Sequence, residues 1–216
     1  MKEIKTVNVL VDNDSWILPY AEQFVTWCNK RGVEASLSRH QDELREADVS
    51  FFLGCVKLVH EKNLVKSRHN LVVHESDLPK GKGFAPVAWQ IIEGQNVIPV
   101  CLIEASKNAD SGDIWLRDEI TLDGTELNPE WRNKQGTVTI DLCQLFVSRY
   151  SELSPESQVG EESFYTRRRP EDSELNMSKT LAEQFQLLRV VDNDSYPAFF
   201  RYKNKKYKVE ITEYDE

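Results

Sequence analysis

Between residues 6 and about 150, short apolar segments of strand length alternate with segments of helical periodicity, and this alternation constrains the fold more than any other feature. Strand patterns occur in TVNVLV (6–11), DVSFFLG (48–54) and NLVVHE (70–75), whereas apolar residues between Ile17 and Cys28 recur at helical spacing. Strands joined through helices favour parallel pairing, because a right-handed crossover brings the chain back to the same edge of the sheet. The pattern predicts an α/β fold.

The sequence changes in character at residue 151. SELSPESQVGEES (151–163) is polar and rich in turn-forming residues, which is typical of a linker or surface loop. A helical pattern near Leu188 and a hairpin pattern around KNKK (203–206) follow, and this segment is too small to fold alone. We therefore expect a Rossmann-like, mainly parallel sheet flanked by helices over residues 1–150. Residues 151–216 are expected to form the linker and a small helix-plus-hairpin tail packed on that core.

Composition excludes several classes of protein. The formal net charge of −9 disfavours a nucleic-acid partner, because phosphate binding depends on clustered Lys and Arg. No apolar run approaches the roughly 18 residues of a membrane span, and the N-terminus enters a strand rather than a signal peptide. The four cysteines are widely spaced without a Cys-x-x-Cys pair, which favours reduced core residues over a metal site and predicts a cytoplasmic protein.

The segment VVHESDLPKGKGFAP (72–86) places a histidine at the end of a predicted strand and before a glycine-containing loop. Ligands of open α/β sheets bind at the carboxyl ends of the strands, so His74 lies where a cleft is expected. The glycines allow a ligand to approach the backbone closely. The alternative is an ordinary strand-to-helix connection with a half-buried histidine, since the loop matches neither a dinucleotide nor a phosphate-binding motif.

A second polar segment, EASKNADSGDIWL (104–116), places Asp110 in a turn between two apolar strands. Turn geometry alone explains an aspartate and a glycine there. A strand-end histidine and a turn aspartate on neighbouring strands can nevertheless converge, and such a pair is a common acid/base unit.

Three segments together resemble the folate-dependent formyltransferases. HESDLPKGKGFAP (74–86) is similar to the first signature of that family, and NADSGDI (108–114) is similar to its second. LGCVKLV (53–59) resembles the strand-to-helix segment whose backbone holds the pterin. The spacing among the three segments agrees, and the resemblance covers about residues 48–120.

The tail refines the resemblance. FYTRRRPEDSELN (164–176) resembles the arginine-rich segment of formyltransferases that act on nucleotide-linked amino sugars. VHESDLPKGKG (73–83) with AWQIIEG (88–94) most resembles the branch of pseudaminic acid biosynthesis, whose acceptor is UDP-4-amino-4,6-dideoxy-N-acetylaltrosamine. A sugar acceptor, rather than tRNA, also agrees with the acidic charge and the short tail.

The resemblance implies a one-carbon transferase that uses 10-formyltetrahydrofolate as co-substrate. His74 would be the catalytic histidine, and Asp110 would position both the histidine and the attacking amine beside the folate. Ser76 matches the signature serine and would orient the site, or else it is a turn hydroxyl.

Further residues are expected to bind the two substrates. Lys57, Leu58 and Val59 would flank the folate, the last two while also packing in the core. The positions expected to contact a nucleotide-sugar acceptor are Asn13, Trp16, Lys82, Gly83, Arg167 and Arg168. Their alternatives are an Asx-rich turn for Asn13, a solvated loop charge for Lys82, and a solvated face for most of the arginine triplet.

Two positions depart from the family pattern. The asparagine usually found two residues before the histidine is Val72 here, and the proline after the histidine is Glu75. One alternative is therefore a catalytically degenerate, formyltransferase-like protein that binds folate or a nucleotide sugar. A second is a glycinamide ribonucleotide formyltransferase, which would be expected to keep the asparagine. The expected partners are small molecules, with no nucleic acid or membrane, and a homodimer through the tail is compatible with the sequence.

Overall fold

The computed structural model describes residues 3–214 and is built around a six-stranded sheet with the order β2-β1-β3-β4-β6-β7. Its strands are β1 (Thr6–Leu10), β2 (Glu34–Ser38), β3 (Ala47–Phe52), β4 (Ser67–His74), β6 (Val97–Glu104) and β7 (Ile114–Thr121). Two short pairs lie outside this sheet: β5 (Lys82–Gly83) with β8 (Phe164–Tyr165), and β9 (Ala198–Tyr202) with β10 (Lys205–Val209).

The predicted α/β class with a mainly parallel sheet is confirmed. The pairs β1–β2, β1–β3 and β3–β4 are parallel, whereas β6 runs antiparallel to both β4 and β7. A short connection joins β6 to β7, and two adjacent strands joined in this way must be antiparallel. Strand order reverses at β1, so the edge where β1, β3 and β4 end is the expected place for a cleft.

Five α-helices accompany the strands within residues 3–214. They are α1 (Leu18–Asn29), α2 (Glu61–Leu64), α3 (Pro86–Ile92), α4 (Asn128–Arg149) and α5 (Phe185–Val190). Phe24 of α1 and Phe146 of α4 both make edge-to-face contacts with the fully buried Phe51 of β3, so the main core lies between these helices and the sheet. A smaller apolar cluster that includes Leu10 and Phe52 covers the other face.

In the segment that follows β3, a helix forms only at Glu61–Leu64. The Asp12 carboxylate, just after β1, accepts hydrogen bonds from the backbone N–H groups of Val56 and Lys57, both at 3.0 Å. These bonds hold residues 56–57 beside the end of β1 in a non-helical conformation.

The segment predicted as a linker, residues 151–163, has no extended regular structure but lies against the core. Ile114 and Glu156 exchange two backbone hydrogen bonds, and beyond the segment β8 pairs with β5. The chain from 151 to 165 is therefore attached to the loop that follows β4.

The tail reaches the core through a buried arginine. Arg189 of α5 is fully buried, and its guanidinium donates hydrogen bonds to the Glu126 backbone oxygen, the Glu126 carboxylate and the Asn96 side chain. Lys134 also pairs with Glu126 at 2.6 Å, and the Trp131 indole donates to the Arg189 carbonyl. A buried carboxylate with two cationic partners thus connects the tail to α4.

Across residues 3–214, no helix combines the length and apolar character that crossing a bilayer requires. The same residues include no cluster of three or more His, Cys, Asp or Glu side chains arranged to hold a metal ion. All four cysteines are free thiols.

The ionisation of Glu126 predicts acid sensitivity of the tail contact. Burial opposes ionisation, but hydrogen bonds from Lys134 and from backbone N–H groups, including that of Asp123, lower the pKa of Glu126 to about 2. A depressed folded-state pKa contributes stability above the unfolded pKa of about 4.3, and the contribution disappears as pH falls toward 2. We expect Glu126→Gln to lower the free energy of unfolding by about 1–3 kcal/mol at pH 7 and to weaken its dependence on pH between 4.5 and 2.

Urea titrations at several pH values measure this effect. The control is Glu119→Gln, because Glu119 is exposed on β7. Equal losses for the two variants at pH 7 would contradict the stabilising role assigned to Glu126.

Candidate active site

A cavity of about 550 Å³ opens at the edge where β1, β3 and β4 end. Trp16 follows β1, the loop from Leu53 to Val59 follows β3, and His74 ends β4, and all of these line the cavity. Gly83, Asp110 and the helix α4 complete the walls. The cleft lies at the place that the strand order indicates.

His74 and Asp110 face each other in this cavity. His74 Nδ1 lies 3.6 Å from Asp110 Oδ1, and the two side chains are only 6% and 15% exposed. The hypothesis that a strand-end histidine and a turn aspartate converge agrees with this geometry.

The second ring nitrogen of His74 has a separate partner. Nε2 lies 2.8 Å from the Gly81 carbonyl oxygen, and because a carbonyl can only accept, Nε2 carries the hydrogen. Nδ1 is therefore the nitrogen left for proton exchange. Its distance to Asp110 exceeds a direct hydrogen bond and leaves the pair free to engage a third group.

Asp110 is held by the loop after β4 and by the linker. Its Oδ2 accepts a hydrogen bond from the Gly83 N–H at 2.9 Å, and its carbonyl accepts one from the Gln158 side chain at 2.9 Å. Asp110 has a φ of +54°, a left-handed conformation that costs energy for a residue other than glycine. These contacts fix the carboxylate opposite the imidazole.

The wall formed after β3 is largely apolar. Lys57, Leu58 and Val59 line it together with Phe52, and it continues through Val72 and Ile103, which pair with Phe52 and with each other on the neighbouring strands. Cys55 also lines the cavity; burial, together with the nearby Asp12, raises the pKa of its thiol to about 12. Cys55 is therefore a neutral wall residue at neutral pH rather than a nucleophile.

The chain is similar in sequence to known formyltransferases over about two thirds of its length. No protein-family profile matches it. It is 24% identical over 163 residues to the methionyl-tRNA formyltransferase of Thermodesulfovibrio yellowstonii, covering 73% of this chain and 52% of that protein. The corresponding protein of Rickettsia bellii is 26% identical over 149 residues, covering 68% of this chain and 48% of that protein. The chain is related to the formyltransferases.

The chain spans about half the length of the curated relatives it matches. Structural comparison agrees on the fold. A methionyl-tRNA formyltransferase from Clostridium thermocellum superposes with a TM-score of 0.81 at 20% identity, covering 97% of this chain and 93% of that one. A 4-N formyltransferase from Francisella tularensis gives 0.73 at 16%, covering 98% and 99%. HypX from Aquifex aeolicus, solved with tetrahydrofolic acid, gives 0.77 at 17%, covering 97% and 38%.

Two residues that were predicted to act in the site, Ser76 and Lys82, do not line the cavity. Ser76 is 2% exposed and lies beneath the loop, where a Cβ on Gly81 would come within 2.9 Å of the Ser76 Cβ. Lys82 is 1% exposed, and its ammonium group donates to Ser111 and to Glu162. Lys82 is therefore not the solvated loop charge of the alternative interpretation, because its ammonium group is buried and paired within the protein.

Three further predicted acceptor contacts also lie outside the cavity lining. Asn13 donates to Asp12 and to the Gly54 carbonyl, which is a turn role. Arg167 stacks over Phe84, and Arg168 donates to the Val190 carbonyl and to Ser173 in the tail. Arg168 is thus bound within the tail. Trp16 and Gly83, by contrast, line the cavity.

The contribution of α4 to the cavity was not predicted from the sequence. Arg132, Gln135 and Thr139 line the cavity at helical spacing, with Glu75 beside them. Gln135 donates a 2.6 Å hydrogen bond to the Glu75 carboxylate. The helix begins at Asn128, and its apolar face, which includes Ile140, Cys143 and Phe146, lies in its second half. The polar residues Arg132 and Gln135, one helical turn apart before that face, were the available signal.

Gly83 offers a test of how Asp110 is held. Gly83 has a φ of +102°, and a Cβ there would lie 2.4 Å from the Tyr165 carbonyl oxygen. We expect Gly83→Ala to part β5 from β8, to weaken the bond to Asp110, and to lower the free energy of unfolding by about 3 kcal/mol or more.

Gly32→Ala is the matched control, measured with Gly83→Ala in the same urea titrations. Gly32 also has a positive φ, +77°, but a Cβ there meets nothing within 4 Å. Gly32→Ala should lower the free energy of unfolding by only about 1–2 kcal/mol. Equal losses for the two variants would mean that the contact with Tyr165 is not a constraint.

Proposed function

We propose that this chain transfers the formyl group of 10-formyltetrahydrofolate to the primary amine of a nucleotide-linked amino sugar. The observation that supports this most is the placement of His74 and Asp110 on opposite sides of one cavity, in a fold shared with the formyltransferases. We propose the same catalytic roles for these residues that the sequence resemblance implies, with residues 1–150 as the catalytic domain.

The cavity wall after β3 suits the folate. A flat heteroaromatic ring requires apolar surfaces on its faces and polar groups at its edge. Phe52, Leu58, Val59 and Ile103 supply apolar surface, and the fixed loop with Lys57 adds backbone and charged groups beside it. When bound, the folate supplies the formyl carbon that is attacked.

The acid/base chemistry falls to Nδ1 of His74. As the amine attacks, negative charge develops on the formyl oxygen and the amine becomes more acidic. The Asp110 carboxylate stabilises the imidazolium opposite it while the bond to the amine forms. Once Nδ1 has given its proton to the departing nitrogen, the carboxylate takes the proton that the amine loses and passes it to Nδ1. Protonated Nδ1 donates to the developing oxyanion and later gives its proton to the departing nitrogen, while Nε2 stays bound to Gly81.

A sugar acceptor is preferred to tRNA on electrostatic grounds. The net charge of −9 opposes a polyanionic partner, and the cavity of about 550 Å³ is of small-molecule size. The 4-N formyltransferase from Francisella tularensis shows the same fold over nearly its whole chain. The 4-amino sugar of the pseudaminic acid branch remains our specific proposal for the acceptor, based on the sequence resemblance.

The His74→Ala variant tests the catalytic assignment. We expect a loss of about 10²–10⁴-fold in kcat/KM for formyl transfer with little change in folate affinity, because the imidazole acts mainly in the transition state. The readout is mass-spectrometric detection of the formamide with a panel of UDP- and dTDP-linked 4-amino sugars. His40→Ala is the control, since His40 is exposed and outside the cavity lining. Full activity in His74→Ala would refute the assignment.

Val72 supports a second candidate, a formyltransferase-like protein that binds without turnover. Val72 and His74 lie two residues apart on β4 and both line the cavity, so an amide at position 72 would face the reaction site. Asn70 does not take over that position, because its side-chain nitrogen donates to the Leu64 carbonyl and Asn70 is outside the lining.

Val72→Asn separates the two candidates. If the site lacks only one oxyanion donor, the substitution should raise kcat, by up to about 10²-fold. Val72→Leu, which adds no amide, should not. If neither wild type nor Val72→Asn transfers formyl to any acceptor while folate binds, the binding protein is the better description.

A further inference from the structure

The helix α4 brings an arginine, Arg132, into the lining of the cavity. We propose that Arg132 is the anion-binding residue of the acceptor subsite and receives a phosphate or carboxylate group of the acceptor. This inference deepens the proposed function and rests on it for the identity of the acceptor.

Two indole rings hold the Arg132 guanidinium in place. Its central carbon lies 4.7 Å from the ring centroid of Trp16 and 4.6 Å from that of Trp131. Trp131 is buried and its indole is itself fixed by a hydrogen bond to the Arg189 carbonyl. Stacking on aromatic faces occupies the planes of a guanidinium and leaves its N–H edge to bind a planar or tetrahedral oxyanion.

Arg132 has no ion-pair partner within 4.0 Å in the described chain, residues 3–214. Among the described residues its one hydrogen bond is a long contact of 3.5 Å from the guanidinium to the side-chain oxygen Oε1 of Gln135. The nearest acidic side chains are engaged elsewhere: the Glu75 carboxylate accepts from Gln135, and the Asp192 carboxylate accepts two backbone N–H bonds in its own turn.

The electrostatic setting of Arg132 agrees with a cation that lacks its counter-ion. Burial, together with the positive charge of Arg168, lowers the pKa of Arg132 to about 10, although Glu75 and Asp192 act in the opposite direction. The side chain is still charged at neutral pH. An oxyanion that entered the cavity would pair with the Arg132 guanidinium, which is desolvated and has no ion-pair partner among the described residues.

The position of Arg132 also matches the geometry that transfer requires. The folate wall and the α4 wall both border His74. An acceptor held at α4 would place its amine near Nδ1 of His74, and Gln135 with Glu75 would contact hydroxyl or amide groups between them. Of the tail arginines that the sequence suggested for this role, Arg168 is bound to carbonyl and hydroxyl oxygens, and Arg167 stacks over Phe84 and does not line the cavity.

Calorimetric titration tests the proposal with defined probes. UDP and inorganic pyrophosphate represent a nucleotide diphosphate, and malonate represents a carboxylate source. We expect Arg132→Gln to weaken binding of at least one of these probes by about 10- to 100-fold, the usual effect of losing a charge-assisted hydrogen bond. The probe whose affinity falls in Arg132→Gln shows whether the subsite binds a phosphate or a carboxylate.

Arg31→Gln is the matched control. Arg31 also stacks on an indole, with its central carbon 4.1 Å from the Trp27 ring centroid, but it lies outside this cavity. Its removal should leave binding unchanged. The proposal is overturned if Arg132→Gln binds all three probes as wild type does, if Arg31→Gln weakens them equally, or if wild type binds none.

A measurement on the wild-type protein covers the case in which Arg132→Gln does not fold. Modification by phenylglyoxal, mapped by mass spectrometry, should be slowed at Arg132 but not at Arg31 by saturating UDP or malonate. Equal modification of Arg132 with and without every probe would overturn the subsite.

The outcomes for the subsite and for the proposed function differ. If formyl transfer depends on His74 but Arg132→Gln leaves KM for the acceptor unchanged, the function stands and the subsite falls. If no acceptor is formylated but UDP or malonate binding depends on Arg132, the anion site stands and the transferase proposal falls.

Discussion

The hydrogen bond between the Gly83 N–H and the Asp110 carboxylate is the contact on which the candidate site depends. It joins the loop after β4 to the turn after β6, which are 27 residues apart in sequence. His74, on the first of these segments, thereby faces a carboxylate on the second. The left-handed backbone of Asp110 is tolerated because Gln158 and Gly83 hold the turn from both sides. Without this bond the two groups would lie on independent loops.

The chain beyond residue 150 is part of the site's support. The buried ammonium of Lys82 pairs with Glu162, and the Ser163 hydroxyl oxygen accepts a hydrogen bond from the Gly81 N–H in the same loop. A lysine this deeply buried requires a paired carboxylate, since an unpaired charge would cost several kcal/mol. The segment 151–165 therefore both connects the tail and holds the loop after β4, and the Arg189–Glu126 pair attaches α5 of the tail to the core.

The cavity has two chemically different walls that meet at His74. The wall after β3 is apolar and positioned by Asp12, whereas the α4 wall carries Arg132 and Gln135. Such a division suits a reaction between two substrates, because a flat ring and a polar acceptor can occupy opposite sides of one histidine. At Val72 the cavity lining lacks a hydrogen-bonding side chain, because valine offers only an apolar surface beside the reacting groups.

The sequence by itself determined the α/β alternation, the position of His74 at a strand end and the presence of Asp110 in a turn, because local periodicity and turn chemistry depend on near neighbours. Only the tertiary structure decided which charged groups face the cavity. Lys82 and Arg168 look like exposed cations in sequence but are enclosed by distant segments, whereas Arg132 reaches the cavity between Trp16 and Trp131. Burial and pairing of a charge are set by residues far away along the chain, and no local pattern records them.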